Sequence, residues 1–85
     1  MTYSISKNAD KQLKKLPREI QRKFIKQLNF LLKNPQHPSL RARKKSGTNI
    51  YEARIDDHYR FTYLFESDEA TIVTVGPHDE GLGKK

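Results

Sequence analysis

The sequence predicts an α+β domain in which a small antiparallel sheet, of order β-α-α-β-β-β, carries a helical hairpin on one face. Apolar and polar residues alternate in the second half of the chain, which indicates strands. In the first half, apolar residues recur at steps of three and four, which indicates helices. All 85 residues (1–85) are expected to form a single domain, since so short a chain can bury only one core.

The first half is predicted to contain one strand and two helices. Residues 2–6 alternate as a half-buried strand does. Asn8 is expected to cap a first helix, which Pro17 ends while suiting the first turn of a second. The second helix should stop at Asn34-Pro35, and its buried stripe is predicted to be Ile20, Phe24, Leu28, Leu31 and Leu32.

The second half is predicted to complete the sheet. Residues 35–48 form a long basic loop that so small a domain does not require, which indicates a function. Residues 51–55 and 59–65 alternate on either side of a short turn, which predicts a β-hairpin. A second turn leads to a last strand over residues 71–76. The sheet face away from the helices should be free.

Charge is distributed unevenly along the chain. The net charge is +7, but residues 1–50 hold thirteen basic and two acidic side chains, whereas residues 51–85 hold four and eight. Lysines on a helix can simply be solvated. The loop segment Arg41-Ala42-Arg43-Lys44-Lys45 instead favours binding, because four like charges in five residues repel one another unless a polyanion lies nearby. A polyphosphate or an acidic protein is the expected partner, and nucleic acid, most of all RNA, is favoured.

Several classes of function are excluded by what the sequence lacks. There is no cysteine, so disulfide chemistry and thiolate metal sites are unavailable. There is no Gly-rich phosphate loop, metal-ligand cluster or Ser/His/Asp arrangement, and we expect neither metal nor small-molecule cofactor. No apolar run reaches the length of a signal peptide or membrane span, so a cytoplasmic location without membrane contact is expected.

Candidate catalytic residues gather on the predicted free face. Period-two geometry places Glu52 and Arg54 opposite the apolar residues of their strand, and Arg60 has the same parity in the next strand. RNA supplies its own nucleophile, the 2′-hydroxyl, so arginines could hold the phosphate while His78 donates a proton and Glu52 accepts one. Two simpler interpretations stay open: His78 is a surface histidine, and Glu52 forms an ion pair with Arg54 or Arg60.

These features together resemble the RelE/ParE superfamily of bacterial toxin–antitoxin toxins, and in particular its RelE-like mRNA interferases. The resemblance spans nearly the whole chain. The motifs that carry it are the segment from Asp10 to Pro17, the basic loop before Gly47, the run from Ile50 to Ile55 followed by Tyr59-Arg60-Phe61, and the ending Val75-Gly76-Pro77-His78-Asp79.

The resemblance implies a ribosome-dependent endoribonuclease that works without metal. By position, Arg54, Arg60 and His78 would contact the scissile phosphate. The loop residues would bind messenger and ribosomal RNA: Arg41, Arg43, Lys44 and Lys45. It further implies a cognate antitoxin that wraps the toxin and masks its basic site.

Two other functions stay open on the sequence alone. A ParE-like inhibitor of DNA gyrase would share the fold and the antitoxin but act by binding. An inactive relative would only bind RNA or antitoxin, and residues 81–85 lack the aromatic side chain that many active members carry after the position of His78. Arg60 and His78 together favour the nuclease, since a gyrase inhibitor would not need His78.

Overall fold

Four pairings build one five-stranded sheet around two long central strands. The computed structural model describes residues 1–77, and in it β4 (Tyr59–Glu66) pairs antiparallel with both β3 (Ile50–Arg54) and β5 (Glu69–Pro77). A two-residue strand, β2 (Arg43–Lys44), extends the sheet antiparallel to β3. At the other edge, β1 (Thr2–Ile5) lies parallel to β5, which gives the order β1-β5-β4-β3-β2.

The predicted α+β fold with helices on one face is confirmed, and one feature of its sheet was wrong. The sheet is mixed rather than antiparallel, because β1 runs parallel to β5. Alternation shows which side chains are buried but carries no information about the partner or direction of a strand. The segment 35–48 is also more ordered than a loop, since it contains a 3₁₀ helix (Pro38–Leu40) as well as β2.

The helical hairpin consists of α1 (Lys7–Lys14) and α2 (Arg18–Lys33). Ser6, not Asn8, caps α1: its Oγ accepts a hydrogen bond from the backbone N–H of Ala9 at 3.0 Å. Asn8 lies inside the first turn of that helix. Pro17 directly precedes α2, which ends one residue before Asn34 as predicted. Within residues 1–77, no helix is long and apolar enough to cross a membrane.

The core lies between the hairpin and one face of the sheet. Phe24 of α2 meets Phe61 of β4 edge to face, with ring centroids 5.2 Å apart. The predicted stripe of α2 is confirmed, since four of its five residues are buried and Leu32 is partly buried. The sheet contributes alternate residues to this core, as a strand with one solvated face does: Ala53, Ile55, Phe61, Tyr63, Ala70, Ile72 and Val75.

A tight turn fixes the register of the two longest strands. Ser67 and Asp68 both adopt left-handed backbone, with φ of 50° and 61°. Two such residues in succession form the hairpin turn whose twist matches that of the flanking strands. Glu66 and Glu69 therefore face each other directly, and the pairing continues as far as Tyr63 and Ile72, after which a β-bulge shifts the register so that Thr62 faces Thr74.

One buried polar side chain joins the helices to the rest of the fold. Gln27 of α2 is 6% exposed, and its Nε2 donates to the backbone carbonyls of Ser39 (3.0 Å) and Arg54 (2.7 Å). Its Oε1 accepts from the hydroxyl of Ser39 at 2.8 Å. The amide thus fixes the 3₁₀ segment and the end of β3 to the same helix.

Replacing Gln27 with Met should destabilise the protein by about 1–3 kcal/mol, because three partly buried polar groups lose their partner while the side-chain volume changes little. Urea unfolding followed by circular dichroism would measure the loss. Gln36→Met is the matched control, since Gln36 is exposed and its side chain makes no hydrogen bond among residues 1–77. Equal midpoints for both variants would contradict this role of Gln27.

Candidate active site on the open sheet face

The sheet face opposite the helices, called the open face below, carries two rows of polar side chains. Strand register places Arg43, Glu52, Thr62 and Thr74 side by side across β2, β3, β4 and β5. The second row, nearer the turn between β3 and β4, consists of Arg54, Arg60 and Gly76. Glu52, Arg54 and Arg60 therefore lie on the same face of the sheet, as predicted.

Arg54 is held by an acid that can release it. Its Nη2 donates to Oδ1 of Asp57, three residues ahead in the turn. The Asp57 side chain is 79% exposed, and an ion pair in such a position contributes little to stability. The backbone of Arg54 is fixed by Gln27, so only its guanidinium is free to exchange Asp57 for another anion.

Arg60 is positioned by backbone carbonyls instead of a carboxylate. Its Nη1 donates to the carbonyl oxygens of Asp56 at 2.5 Å and Tyr59 at 2.9 Å. A guanidinium has five N–H donors, so the Arg60 side chain keeps further donors for a ligand. Arg54 and Arg60 are direct cross-strand partners, and like charges in that relation repel. The pair is electrostatically suited to an anion lying between them.

Asp56 organises the turn that presents both arginines. Its Oδ1 accepts the backbone N–H groups of His58 (2.8 Å) and Tyr59 (3.0 Å), and its Oδ2 lies 3.4 Å from Nζ of Lys23 on α2. Burial alone would raise the pKa of Asp56, but those two N–H groups and the Lys23 ammonium outweigh it, so the pKa lies below its ordinary value of 3.8.

Glu52 lies in the row next to the two arginines. It faces Arg43 on one side and Thr62 on the other. Among residues 1–77, no lysine or arginine nitrogen lies within 4.0 Å of its carboxylate, so the ion pair with Arg54 or Arg60 considered above is not formed. Thr62 and Thr74 share a hydrogen bond of 2.6 Å between their hydroxyls and complete the row.

The open face has room beside Arg60. Gly76 is the cross-strand neighbour of Arg60, and a Cβ placed on it would meet no atom of residues 1–77 within 4 Å. A larger residue would fit at this position, so the packing of the described residues does not explain why it is glycine. The absence of a side chain leaves an open space beside Arg60. His78 follows shortly after it in sequence but lies outside the described residues.

The basic segment after the 3₁₀ helix does not present its charges in one direction. Arg43 lies on the open face beside Glu52, whereas Lys44 is the partner of Tyr51 and lies on the helix side. Arg41 adopts left-handed backbone, with φ of 47°, and Lys45 begins the loop into β3; both are exposed. Only Arg43 of the four predicted RNA-binding residues joins the two rows.

Sequence reasoning missed the residues that hold the arginines. From the sequence, Asp56 and Asp57 are recognisable only as residues of the short turn between two strands, and an acid three residues after Arg54 is a weak signal for pairing. The carbonyls that bind Arg60 leave no trace in the sequence at all. The described residues contain no group of three His, Asp or Glu side chains placed to hold a metal ion.

The family model of the ParE toxin of the type II toxin–antitoxin system, parDE, matches residues 3–82. None of the curated protein sequences matches the chain. Among solved structures, the chain is similar to the archaeal RelE–RelB complex from Pyrococcus horikoshii, with a TM-score of 0.77 and 26% identity over 93% of this chain and 96% of that chain.

Two bacterial complexes share the fold at lower identity. The intact RelBE toxin–antitoxin complex of E. coli gives a TM-score of 0.73 and 18% identity, covering 88% of this chain and 93% of that chain. The YoeB–YefM complex from Staphylococcus aureus gives 0.76 and 18%, covering 89% and 94%. The fold of residues 1–77 is thus that of the toxin chains in such complexes.

The charge of Asp56 should stabilise the protein in a pH-dependent manner. Because its pKa is lowered on folding, this contribution is present above the unfolded value near 3.8 and is lost as the pH falls through the folded value. Asp56→Asn keeps the acceptor for the turn N–H groups but removes the charge. We expect it to be less stable than the wild type at pH 7, and we expect the difference to shrink as the pH falls below the unfolded value.

Denaturant unfolding of both proteins from pH 7 to pH 2 would measure this convergence. Glu69→Gln is the control for loss of an exposed acid, since Glu69 is exposed and forms no salt bridge among residues 1–77. A difference between wild type and Asp56→Asn that stays constant over the whole range would show that the charge of Asp56 is not the cause.

Proposed function

The chain belongs to the ParE toxin family of type II toxin–antitoxin systems, within the RelE/ParE superfamily, and from that premise we propose that it arrests growth by cutting messenger RNA on the ribosome. The observation that carries the proposal is the direct pairing of Arg54 with Arg60 on the open face. Two adjacent cations, one held by an exposed acid and the other by carbonyls, fit the two non-bridging oxygens of a phosphodiester, which share its negative charge.

The chemistry needs no group outside the chain and the RNA. The 2′-oxygen of the substrate attacks the adjacent phosphorus, and the bond from phosphorus to the 5′-oxygen breaks, giving a 2′,3′-cyclic phosphate and a 5′-hydroxyl. Glu52, one row away from the arginines, would accept the proton of the 2′-hydroxyl. Arg54 and Arg60 would stabilise the crowded phosphate, and His78 would protonate the departing oxygen.

Basic residues of the segment after the 3₁₀ helix would position the RNA. Arg41, Arg43, Lys44 and Lys45 supply sequence-independent attraction to phosphates, and Arg43 lies next to Glu52, where a flanking phosphate could reach it. Their spread over both sides of the sheet edge suits a large polyanion such as ribosomal RNA better than one short strand.

A cognate antitoxin is the proposed protein partner. The solved structures similar to this chain include toxins in complex with RelB and with YefM. A partner that covers the open face would neutralise the repulsion between Arg54 and Arg60 with its own acids. The site of action we propose is the cytoplasm, where messages are translated.

A second candidate is inhibition of DNA gyrase, which the ParE description of the matching family model favours. This function requires a protein-binding surface and no proton transfer. It would therefore tolerate loss of Glu52 and His78, whereas RNA cleavage would not.

Primer-extension mapping in cells expressing the chain should reveal cuts in translated messages. An Arg60→Ala, His78→Ala double variant should lose them, because loss of one general acid alone costs roughly a hundred- to ten-thousand-fold in rate. Arg18→Ala, which removes an exposed arginine at the start of α2, is the matched control and should cut like the wild type.

The same cells separate the alternatives. Growth arrest without cuts, accompanied by loss of supercoiling by purified gyrase in the presence of the chain, would replace the proposed function with the second candidate. Neither arrest nor cuts would leave the chain as a binding module without catalysis.

Gly76→Ala tests whether RNA occupies the space beside Arg60. The added methyl group meets no atom of residues 1–77, so the melting temperature should stay within a few degrees of wild type. A phosphate approaching Arg60 would meet that methyl group, and we expect at least a tenfold lower rate of cleavage in a reconstituted translation assay. Wild-type cleavage by this variant would place the RNA elsewhere on the face.

A further inference from the structure

A second concave site lies on the helix side of the sheet, away from the open face. It is a pocket of about 560 Å³ where the chain leaves α2 and returns to the sheet. The segment 34–38 forms one wall, Arg41 and Ala42 form the rim, and three aromatic residues of β3 and β4 form the opposite wall: Tyr51, Tyr63 and Phe65. The function proposed above uses none of these aromatic residues.

The aromatic wall is a preformed surface for a flat ring. Tyr51 and Tyr63 lie stacked with their centroids 5.4 Å apart and their planes 10° from parallel. Phe65 meets Tyr51 edge to face at 6.4 Å. Unpaired nucleobases bind proteins by stacking on such side chains, and every base can do so because each has a π face.

The hydroxyl of Tyr63 has no partner among the described residues. Tyr63 is only 2% exposed, and none of the hydrogen bonds within residues 1–77 involves its phenol oxygen. Buried polar groups are normally satisfied, so an unpaired hydroxyl lining a pocket indicates a ligand with a polar edge. Burial, with a smaller contribution from Tyr51, raises the pKa of Tyr63 to about 12, so this hydroxyl keeps its proton and can donate.

The charges around the pocket are positive. Arg41 lines it, and Lys44 lies on the same side of the sheet because it is the cross-strand partner of Tyr51. None of the ten residues that line the pocket is acidic. His37 stacks on Phe30 at 4.0 Å, and its Nδ1 accepts the N–H of Ser39, so the neutral ring carries its proton on Nε2 as a further donor.

We propose that this pocket binds one unpaired nucleotide, with the base on the partly exposed Tyr51 ring, the Tyr63 hydroxyl at the edge of the base, and the phosphate at Arg41 and Lys44. The proposal adds a second RNA contact to the proposed function and does not require cleavage. An aromatic side chain of an acidic peptide could also stack there. The unpaired hydroxyl and the cationic rim together favour a ligand with both a polar ring edge and a phosphate.

The test is a nuclear magnetic resonance titration of the ¹⁵N-labelled full chain with AMP and, separately, with inorganic phosphate. AMP should shift the amides of Tyr51, Tyr63 and Phe65 with a dissociation constant on the order of 1 mM, as expected for one stacked nucleotide. Phosphate alone should leave those amides unchanged. AMP shifts that merely reproduce those of phosphate would overturn the proposal.

Two variants separate the parts of the site. Tyr63→Phe removes only the unpaired hydroxyl, so it should fold normally and bind AMP roughly two- to tenfold more weakly. Tyr3→Phe, at an exposed position on β1, is its control. Arg41→Ala should weaken binding of AMP but not of adenosine, and Arg18→Ala should change neither.

Nucleotide binding in the pocket can be measured independently of message cleavage. The Arg60→Ala, His78→Ala variant should still bind AMP in the pocket, whether or not the wild type cuts messages. Wild-type affinity in Tyr63→Phe would overturn the inference. So would an acidic peptide with an aromatic residue that shifts the pocket amides when no nucleotide does.

Discussion

Everything in this fold depends on the two-residue alternation that β3 and β4 share. Ala53 faces Phe61 on the helix side, and the next pair, Arg54 and Arg60, faces the opposite way. A slip of one residue in either strand would bring arginines into the core and Phe61 to the surface. The cost of burying a guanidinium thus holds the register that places the charges together. The pairing of β3 with β4 thus determines both the packing of the core and the placement of Arg54 beside Arg60.

The arginines illustrate how a cationic site can exist before its ligand arrives. Two like charges on neighbouring strands weaken the sheet unless something offsets them. Here the offset is local and modest: an exposed acid for Arg54 and peptide carbonyls for Arg60. The site is therefore preorganised without being neutralised, which is the condition for strong attraction to a phosphate.

Much of this arrangement could be predicted from the sequence because its signals are local. Alternation identified the β3–β4 hairpin and which face Arg54 and Arg60 share, and the three- and four-residue spacing identified the buried stripe of α2. The parallel pairing of β1 with β5 could not be predicted in that way, since it joins segments some seventy residues apart. Backbone acceptors such as the carbonyl of Asp56, and a pocket formed by loop packing around Tyr63, are likewise visible only in three dimensions.

The edges of the sheet bear on how the chain behaves when no partner covers it. The two longest strands, β4 and β5, have eight and nine residues and lie in the interior of the sheet, whereas the edge strands β1 and β2 have only four and two. A long exposed edge is a template on which another copy can add its own strand. Here each edge offers few free backbone groups. At the β2 edge, Arg43 and Lys44 add positive charge that repels the same edge of a second copy. Growth of the sheet from one molecule into the next is thereby opposed at both ends.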